Sequence, residues 1–389
     1  MHLFINSLAA SAGGGLTYIR NVIPHLAAEP GLRLTVALSA GLRTEFGSPA
    51  NIEFLELDIP PARRFWYEQI TLPGVVRRGG ADVLLSAGNF AVRRSPVPQI
   101  LLSRNSIYTS ADFERDLRSR HEYRAWLDTR LRGRMARQSV RWAEVTVAPS
   151  EAFAAELRRW TGRPNIIAIH HGFDREAFTG DASPLSGEIE EKLQALRGSL
   201  NLLFVSHYNY YRNFETLIRA LPLLRDRCNG RTVKLMLTCK LATGENPGAY
   251  RPAGAANLAR QLGVSGMLVE LGAVPYRQLH QVYDGADVFV TPAYTETFAH
   301  PLVEAMSCGL PIVASDLPVH REICGDAALY FSRFSSEDLT ERILEAVSTA
   351  GLGAKLSASG VARSKAFSWK KHVSELLTVA RSLVVHTKG

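Results

Sequence analysis

Short hydrophobic segments alternate with longer amphipathic segments along the 389 residues of this chain. The short segments are rich in Val, Leu and Ile without strict in–out alternation, a pattern typical of strands buried on both faces of a parallel sheet. We predict a first series of strands at Leu3–Asn6, Leu34–Leu38, Ile52–Leu57, Val83–Ser86, Gln99–Ser103 and Val145–Ala148. A second series follows at Leu202–Ser206, Val233–Thr238, Met267–Leu271, Val288–Thr291, Ile312–Ser315 and Ala328–Phe331.

The amphipathic segments between these strands predict helices that cross over from one parallel strand to the next. Because each series opens with its own strand and helix, we predict an α/β protein with two Rossmann-like, doubly wound parallel-sheet domains. We place the domains at residues 1–178 and 200–366. A linker is expected at 179–199, where turn-forming residues precede a charged helix from about Gly187 to Arg197. Residues 367–389 are predicted to form a C-terminal helix that packs back on the N-terminal domain.

The composition narrows the class of protein. A chain of this length is too long for one compact core, and its 30 glycines and 19 prolines are ordinary for a globular protein. No apolar run reaches the roughly 18 residues that span a bilayer, and the first residues lack the basic segment of a signal peptide. The four cysteines show no C-x-x-C spacing, which favours a reduced, cytoplasmic protein.

The net charge of +8 is concentrated in the first half of the chain. Residues 1–178 contain 23 Arg, no Lys and 17 Asp or Glu. Such an excess suits nucleic acid, anionic lipid or a phosphorylated substrate, although a GC-rich genome also favours Arg over Lys. The sequence shows neither zinc-finger spacing nor an RNA-binding aromatic motif, so we expect no nucleic-acid partner.

A glycine-rich turn at Ala10–Thr17 follows the first predicted strand and leads into a helix. Gly14 and Gly15 allow a ligand to approach the backbone, and the helix start places amides at its positive end. Tyr18 stands where the dinucleotide-binding pattern G-x-G-x-x-G needs a glycine, which argues against an NAD-type protein. A flexible turn without a ligand is the alternative interpretation.

A second polar loop follows the strand that opens the second series. It brings His207 and Arg212 close to a helix that is predicted to begin near Asn213. Ligands of open α/β sheets bind at the carboxyl ends of the strands. A cation at that place suits a diphosphate, because a guanidinium offers two parallel N–H donors. The sequence therefore predicts an anion site in this loop.

The most informative segment is Thr291–Pro311. A loop bearing Glu296 follows a buried strand and leads into a helix that is predicted to begin near Pro301. The exposed amides of residues 298–300 are suited to hold an anionic group. Glu304 is placed in the first turn of the helix, where capping and the helix dipole favour an acid, so a structural role is its alternative interpretation. Glu296 has no such structural explanation.

The two acids form an E-x7-E pattern within a longer string. That string resembles the signature of retaining glycosyltransferases of family 4, the group 1 family: Glu296-Thr-Phe-Ala-His-Pro-Leu-Val-Glu-Ala-Met-Ser-Cys-Gly-Leu-Pro-Ile-Val-Ala-Ser. Two acids at this spacing arise often by chance, whereas the full string is specific. The resemblance covers nearly the whole chain, with these further segments in the expected order: the glycine-rich turn, His171–Asp174, Phe204–Leu221, Leu271–Asp287 and Phe367–Trp369. It implies a GT-B fold, in which two Rossmann-like domains face each other across a cleft.

The resemblance also implies an activity. A hexosyltransferase-type enzyme of this kind moves a sugar from a nucleotide-diphosphate sugar to an acceptor hydroxyl with retention of anomeric configuration. Glu304 would hydrogen-bond the nucleotide ribose, and Glu296 would contact the donor sugar near its 3-hydroxyl. Further residues would line the donor site: Thr297, Phe298, Ala299 and His300.

The same resemblance implies groups that bind the diphosphate. Arg212 stands where the family usually has Lys, and His207 stands where it usually has Arg. Both would neutralise the leaving group, and Gly14 and Gly15 would approach the same phosphates from the other domain.

The acceptor side departs from the family pattern. The N-terminal domain of the family often supplies a histidine near the acceptor, whereas this chain has Ser103-Arg104-Asn105-Ser106 there. Arg104 and Asn105 are therefore the acceptor-side candidates. The candidate catalytic residues are Glu296, Arg212 and Asn105.

We predict that this reaction is independent of metal ions in this chain. Breaking a glycosyl–phosphate bond develops negative charge on the diphosphate, which preorganised cations and amides stabilise. A divalent ion can do the same, but the sequence contains no Asp-x-Asp pair. We expect no metal and no cofactor, with the nucleotide sugar as donor substrate.

Other functions stay open. A sugar-nucleotide epimerase or phosphorylase of the same fold would share the donor site, and an NAD-type Rossmann oxidoreductase is a remote alternative. Release of the nucleoside diphosphate only in the presence of an acceptor distinguishes a transferase from the first of these. The family tendency is a glycan or lipid-linked acceptor in bacterial polysaccharide or glycolipid synthesis.

The basic segment Arg115–Trp142 contains nine arginines and an apolar row with helical spacing at Tyr123, Leu127, Leu131 and Met135. Two interpretations stay open. The row faces the core of a surface helix, or a basic amphipathic helix lies on an anionic membrane. The second interpretation implies peripheral contact with the inner face of the plasma membrane.

Overall fold

The structure is a computed structural model that describes residues 1–10, 13–47, 49–228, 230–246 and 250–388. The chain divides into two compact units. Unit 1 comprises Met1–Thr109, His121–Gly172 and the segment from Ser368 onward, and unit 2 comprises Ser110–Arg120 and Phe173–Phe367. This division differs from the boundaries expected from sequence. The segment 179–199, expected to be a linker, lies inside unit 2, as does Ser110–Arg120 from the first half of the chain.

Unit 1 contains a seven-stranded parallel sheet in the order β3-β2-β1-β4-β5-β6-β7. Its strands are β1 (His2–Asn6), β2 (Arg33–Ser39), β3 (Ile52–Leu57), β4 (Val83–Ser86), β5 (Gln99–Leu102), β6 (Val145–Ala148) and β7 (Ile166–Ala168). β1 and β4 are buried along their whole length, as their continuous apolar character predicts. In the register of the sheet, Leu3 lies opposite both Leu34 and Val83.

Unit 2 contains a six-stranded parallel sheet in the order β10-β9-β8-β11-β12-β13. Its strands are β8 (Leu200–Phe204), β9 (Val233–Leu237), β10 (Leu268–Glu270), β11 (Val288–Thr291), β12 (Ile312–Ser315) and β13 (Ala328–Phe331). The predicted fold class, two Rossmann-like parallel-sheet domains, is confirmed. Every predicted strand is present, with ends shifted by no more than two residues, and the three-residue strand β7 was not predicted.

The helices between the strands follow in chain order. They are α1 (Gly13–Ala27), α2 (Pro61–Trp66), α3 (Leu72–Arg78), α4 (Ala111–Ser119), α5 (Tyr123–Trp142), α6 (Glu151–Thr161), α7 (Arg175–Phe178), α8 (Gly187–Gln194), α9 (Phe214–Arg227), α10 (Ala253–Gln261), α11 (Leu279–Asp284), α12 (His300–Ser307), α13 (Pro318–Cys324), α14 (Ser336–Ser348), α15 (Leu352–Ser364) and α16 (Trp369–Lys388).

The C-terminal helix α16 packs in unit 1 beside α1. One face of α16 joins the core that α1 forms with the sheet, through Trp369, Val373, Leu376, Leu377 and Ala380. The approach is close enough to require glycine at position 172, because a methyl group there would overlap the backbone of Trp369. This contact gives Gly172 a packing reason that the sequence pattern alone did not supply.

Helix α5 turns small residues, not its large apolar row, toward the rest of unit 1. The residues it buries are Gly133, Ala136, Ser139 and Val140. By contrast, Tyr123, Leu127 and Leu131 are 57%, 53% and 49% exposed. The interpretation that this row faces the core is wrong for these three residues, because the close-packed face is made by the small side chains. Within the described ranges, no helix has the length and apolar content that crossing a bilayer requires.

Candidate active site

The loops after β8 and β11 lie at the topological switch point of the second sheet. β8 is flanked by β9 on one side and by β11 on the other, so the chain leaves β8 in one direction and later returns on the opposite side. At such a point the carboxyl ends of the strands open a crevice, where open α/β sheets bind their ligands. His207 and Arg212 follow β8, and Glu296 follows β11.

Arg212 and Glu296 form an ion pair at this point. Nη1 of Arg212 donates a hydrogen bond to Oε1 of Glu296. The two side chains are 21% and 10% exposed. Nε of Arg212 is buried and has no hydrogen-bond partner within the described part of the chain. The guanidinium therefore keeps a donor available for an additional acceptor.

Hydrogen bonds to the backbone tie the two loops together. The amide of Tyr294 donates to the carbonyl of Tyr211 over 3.1 Å, and the side-chain amide of Asn213 donates to the carbonyl of Pro292 over 3.1 Å. Asn213 has a φ of 56°, in the left-handed region that asparagine tolerates better than most residues. The position of Arg212 relative to Glu296 is thus supported by the backbone as well as by the ion pair.

Ser315 and His320 support the Glu296 loop from β12. The hydroxyl of Ser315 donates to the carbonyl of Ala293. Nδ1 of His320 donates to the carbonyl of Ser315 over 2.9 Å, which assigns the ring proton to Nδ1 because a carbonyl only accepts. Burial lowers the pKa of His320 to about 4, so the ring is neutral at pH 7. No motif in the sequence marks either residue, and both were missed.

The residues after Glu296 lead directly into α12. The amide of Thr297 donates to Oε2 of Glu296 over 3.3 Å. Ala299 has a φ of 63° and turns the chain into the helix, and the rings of Phe298 and His300 pack 4.8 Å apart. Residues 297–300 therefore lie beside Glu296 at the start of a helix, where backbone amides favour an anionic ligand.

Glu304 is the fifth residue of α12, which begins at His300 and has no acid in its first turn. The interpretation of Glu304 as a capping acid is therefore wrong. Its side chain is buried, and Oε2 accepts a hydrogen bond of 2.8 Å from the hydroxyl of Tyr283. Burial raises the pKa of Glu304 to about 7, although the bond from Tyr283 acts in the opposite direction. Buried carboxyl groups with a raised pKa are characteristic of functional sites.

His207 is a weaker cation than the sequence suggested. It is exposed at the start of its loop. Partial burial, and then the positive charge of Arg212, lower the pKa of His207 below its ordinary value of 6.5. The lowered pKa favours the neutral ring at pH 7, so Arg212 carries the positive charge of this loop.

Arg104 contacts the residues that follow β1 and β4, at the switch point of the first sheet. Nη1 of Arg104 donates to the carbonyl of Gly14 over 2.8 Å, and Nη2 donates to the carbonyl of Ala87 over 2.6 Å. The guanidinium also lies over the ring of Tyr18, 4.9 Å from its centre. Burial lowers the pKa of Arg104 to about 10, which leaves it charged at pH 7. Arg104 thus holds the backbone of the glycine-rich turn.

The remaining candidates in unit 1 are the two glycines of the glycine-rich turn and Asn105, and their contacts are local. A methyl group at Gly15 would lie 3.2 Å from the Cα of Ala10, whereas one at Gly14 would meet no neighbour within 4 Å among the described residues. Ser11 and Ala12 of this turn lie outside the described residues. The side-chain oxygen of Asn105 accepts from the amide of Ile107 over 3.2 Å and so caps the short turn after β5.

The predicted site residues therefore fall into two groups. Unit 2 brings Arg212 into contact with Glu296. The same loops and α12 hold the other candidates of this unit: His207, Thr297, Phe298, Ala299, His300 and Glu304. Unit 1 holds Gly14, Gly15, Arg104 and Asn105 near the ends of β1 and β5. In the described ranges, no three His, Cys, Asp or Glu side chains are grouped as a metal site requires.

Two family models match the chain, one on each half. The model described as Glycosyltransferase Family 4 matches residues 12–177, and the model described as Glycosyl transferases group 1 matches residues 187–363. The chain belongs to the group 1 glycosyltransferases of family 4. The match over residues 187–363 includes both loops of the site in unit 2.

Similar proteins agree with this family and with its fold. This group 1 glycosyltransferase is 26% identical over 217 residues to a D-inositol 3-phosphate glycosyltransferase of Corynebacterium aurimucosum, a match that covers 54% of this chain and 50% of that protein. The chain thus spans about half the length of the curated relatives it matches.

Solved structures resemble the chain over nearly its full length. Sucrose-phosphate synthase from Thermosynechococcus elongatus superimposes with a TM-score of 0.73 at 17% identity, covering 99% of this chain and 100% of that one. Anabaena HepE in complex with UDP and glucose gives a TM-score of 0.71 at 18% identity, covering 98% and 100%. At these identities the likeness concerns the fold, and it confirms the GT-B fold class.

Proposed function

We propose that this chain transfers a sugar from a nucleoside-diphosphate sugar to an acceptor hydroxyl with retention of anomeric configuration. The observation that carries the proposal is the pairing of Arg212 with Glu296 at the switch point of the second sheet, with Glu304 on the helix that follows. Family membership supports the reaction class. The UDP and UDP-glucose bound by the structurally similar Anabaena HepE support a nucleotide sugar as donor.

Each acid of the site matches one part of such a donor. Glu304 is buried beside Tyr283, and in its ionised form it accepts hydrogen bonds from the ribose hydroxyls. Glu296 lies in the loop before α12 and accepts a hydrogen bond from a sugar hydroxyl. The amides of residues 298–300 lie between the two acids in sequence, where a diphosphate meets the positive end of α12.

Arg212 supplies the main electrostatic stabilisation of the leaving group. The glycosyl–oxygen bond breaks and its electron pair goes to the β-phosphate oxygen. The acceptor oxygen forms the new bond to the anomeric carbon, and its proton passes to the leaving diphosphate. A guanidinium already positioned at the diphosphate stabilises the developing negative charge without reorganisation. We propose that this cation, assisted by backbone amides, makes a divalent metal ion unnecessary.

The acceptor is proposed to be a glycan or a lipid-linked molecule presented at an anionic membrane surface. Helix α5 supports this proposal, because its exposed apolar residues Tyr123, Leu127 and Leu131 share one side of the helix with Arg124 and Arg134. An apolar row flanked by arginines inserts into the headgroup region while the cations contact anionic lipid.

A thermal-shift series tests the donor. UDP-sugars and GDP-sugars are added to the chain in the presence of EDTA, and at 100 times its Kd a ligand adds about 2.7 kcal/mol of stability. We expect a shift with one nucleotide class and no requirement for added magnesium.

Retention is tested on the product. The anomeric proton coupling in the NMR spectrum of the product is expected to match that of the donor. An inverted product, or release of nucleoside diphosphate at an equal rate without any acceptor, contradicts the proposed reaction. A shift that appears only when magnesium replaces EDTA contradicts metal independence.

A further inference from the structure

Helix α4 comes from the first half of the chain but belongs to unit 2. Its start is fixed locally, because the hydroxyl of Ser110 accepts from the amide of Phe113 over 3.2 Å and acids occupy the first turn. Phe113 and Leu117 are fully buried. The ring of Phe113 lies edge-on to that of Tyr211, with centres 6.0 Å apart. The helix is therefore packed as a part of unit 2, beside the loop that carries Arg212.

A polar row along α4 reaches three places at the carboxyl edge of the second sheet. Asp112, Asp116 and Arg120 are spaced four residues apart and so lie on one side of the helix. Asp112 pairs with Arg333, which follows β13, at 3.0 Å. The row thus extends from the end of β13 to the loops after β11 and β8.

Asp116 contacts the loop that carries Glu296. Its Oδ2 accepts a hydrogen bond of 2.7 Å from the hydroxyl of Tyr294, and its Oδ1 accepts one of 2.7 Å from Nε of Arg120. Tyr294 is buried two residues before Glu296, and its amide donates to Tyr211 in the neighbouring loop. A carboxylate of α4 therefore holds the side chain of the residue whose backbone joins the two loops.

Arg120 contacts the loop and helix that carry Arg212. Its Nη1 lies 3.0 Å from Oε1 of Glu215, in the first turn of α9, and its guanidinium lies over the ring of Tyr210 at 4.3 Å. Glu215 also accepts a hydrogen bond from the hydroxyl of Tyr208 over 3.2 Å. Burial lowers the pKa of Arg120, but the charges of Glu215 and Asp116 raise it by more. The pKa therefore lies above its ordinary value, and the guanidinium stays charged.

We infer that Asp116 and Arg120 are positioning residues for the donor site. They hold the loop after β8 and the loop after β11 at the spacing that lets Arg212 and Glu296 meet. Neither residue is expected to touch the reacting atoms. This role rests on the proposed function, because it concerns binding of a nucleoside diphosphate by the same two loops.

The chain offers a matched control on the same helix. Asp112 is a carboxylate one turn earlier and is likewise paired with arginine. Its partner outside α4, Arg333, follows β13 rather than β8 or β11. Asp112→Ala and Asp116→Ala both remove an arginine-paired carboxylate from α4, buried at Asp112 and half-buried at Asp116. Both are expected to lower the melting temperature, because each leaves arginine without its partner.

Affinity for UDP and GDP, measured by titration calorimetry well below the melting temperature, separates positioning from packing. We expect Asp116→Ala and Tyr294→Phe each to lower the affinity for the nucleotide that the wild type binds by about tenfold. Loss of a hydrogen bond to a charged group has an effect of this size. The double variant is expected to be no weaker than the stronger of the two, because both remove one interaction. Asp112→Ala is expected to keep the wild-type affinity.

The outcomes separate the positioning role from the proposed function. Wild-type affinity in Asp116→Ala, or equal weakening by Asp112→Ala, overturns the positioning role and leaves the proposed function intact. Additive losses in the double variant overturn the assigned path through Tyr294. Failure of the wild-type chain to bind either nucleotide overturns the proposed function together with the positioning role.

Discussion

Arg212 and Glu296 neutralise each other, and the proposed donor has to exchange the partners of this ion pair. Burying either charge alone is costly, so each is kept in place by the other. In the proposed function, we expect a diphosphate to replace Glu296 as the partner of Arg212. The carboxylate of Glu296 is then expected to accept a hydrogen bond from a sugar hydroxyl. At the level of single residues, the proposal therefore predicts that donor binding exchanges the partners of this ion pair.

Glu304 gives a prediction about stability and pH. Its pKa is about 7 in the folded chain, against 4.5 for an ordinary glutamate, because of burial. The folded state therefore holds a proton that the unfolded chain releases between about pH 4.5 and pH 7, and stability falls as the pH rises through this window. The shift corresponds to about 3 kcal/mol.

Glu304→Gln is expected to remove this dependence. We expect the free energy of unfolding of the wild type, relative to the variant, to decrease by about 3 kcal/mol between pH 4.5 and pH 7.5. Urea denaturation at several pH values measures the difference. A difference that is constant over this range contradicts the assigned pKa of Glu304.

Secondary-structure elements were largely predictable, and the reason is physical. Strands buried on both faces, such as β1 and β11, are continuous apolar runs that no surface segment resembles. β7 was not predicted because three residues are too few to show a hydrophobic pattern. The partner of a helix is harder to predict, since an amphipathic face shows only that something covers it. The sequence of α4 gave no sign that it packs in unit 2, and that of α5 did not show which face is buried.

The exposed face of α5 gives a prediction at the level of the element. We expect the wild-type chain to sediment with vesicles of phosphatidylcholine and phosphatidylglycerol, and less so as salt rises, because arginine contacts with anionic lipid are screened. Replacing Leu127 and Leu131 by glutamate is expected to abolish binding. Val347→Glu alters an exposed apolar residue on α14 and serves as the control, which retains binding. Equal sedimentation with neutral vesicles would contradict an electrostatic contact.

His372 joins helix α16 to Tyr18 of α1 and to the segment after β7. Nδ1 of this ring donates to the carbonyl of His170 over 2.8 Å, so Nε2 is the acceptor for the hydroxyl of Tyr18 at 2.9 Å. Burial lowers the pKa of His372 to about 4. The unfolded chain therefore binds a proton that the folded chain excludes, and stability falls as the pH drops from about 6.5 to about 4.

His372→Gln is expected to remove about 3 kcal/mol of this acid sensitivity. Thermal or urea denaturation between pH 4 and pH 7 measures it, with His25→Gln on α1 as a second histidine variant in unit 1. An unchanged acid sensitivity in His372→Gln, or the same change in His25→Gln, speaks against the assigned hydrogen bonds.

For the whole molecule, family resemblance and geometry answered different questions. The string around Glu296 predicted that this acid and Arg212 serve one ligand, and the sheet topology explains why they meet, because β8 and β11 are neighbours at a switch point. Tyr283 and Ser315 were not predictable, since each contacts a residue of a separate segment. His320 was missed because it acts on the site only through Ser315. The alternative role of Glu304 as a helix cap is wrong because α12 begins at His300, one residue before Pro301. The first residue of a helix cannot be predicted from sequence this precisely.

The most direct test of the central claim is the binding of UDP and GDP in the presence of EDTA, measured by titration calorimetry on three proteins. We expect the wild-type chain to bind one of the two nucleotides with one site. Arg212→Ala is expected to bind at least about tenfold more weakly, a loss of about 1.4 kcal/mol. Arg219→Ala, an exposed arginine on α9, is expected to bind as the wild type does. Equal binding by wild type and Arg212→Ala, or no binding by the wild type, would contradict a diphosphate site built on Arg212.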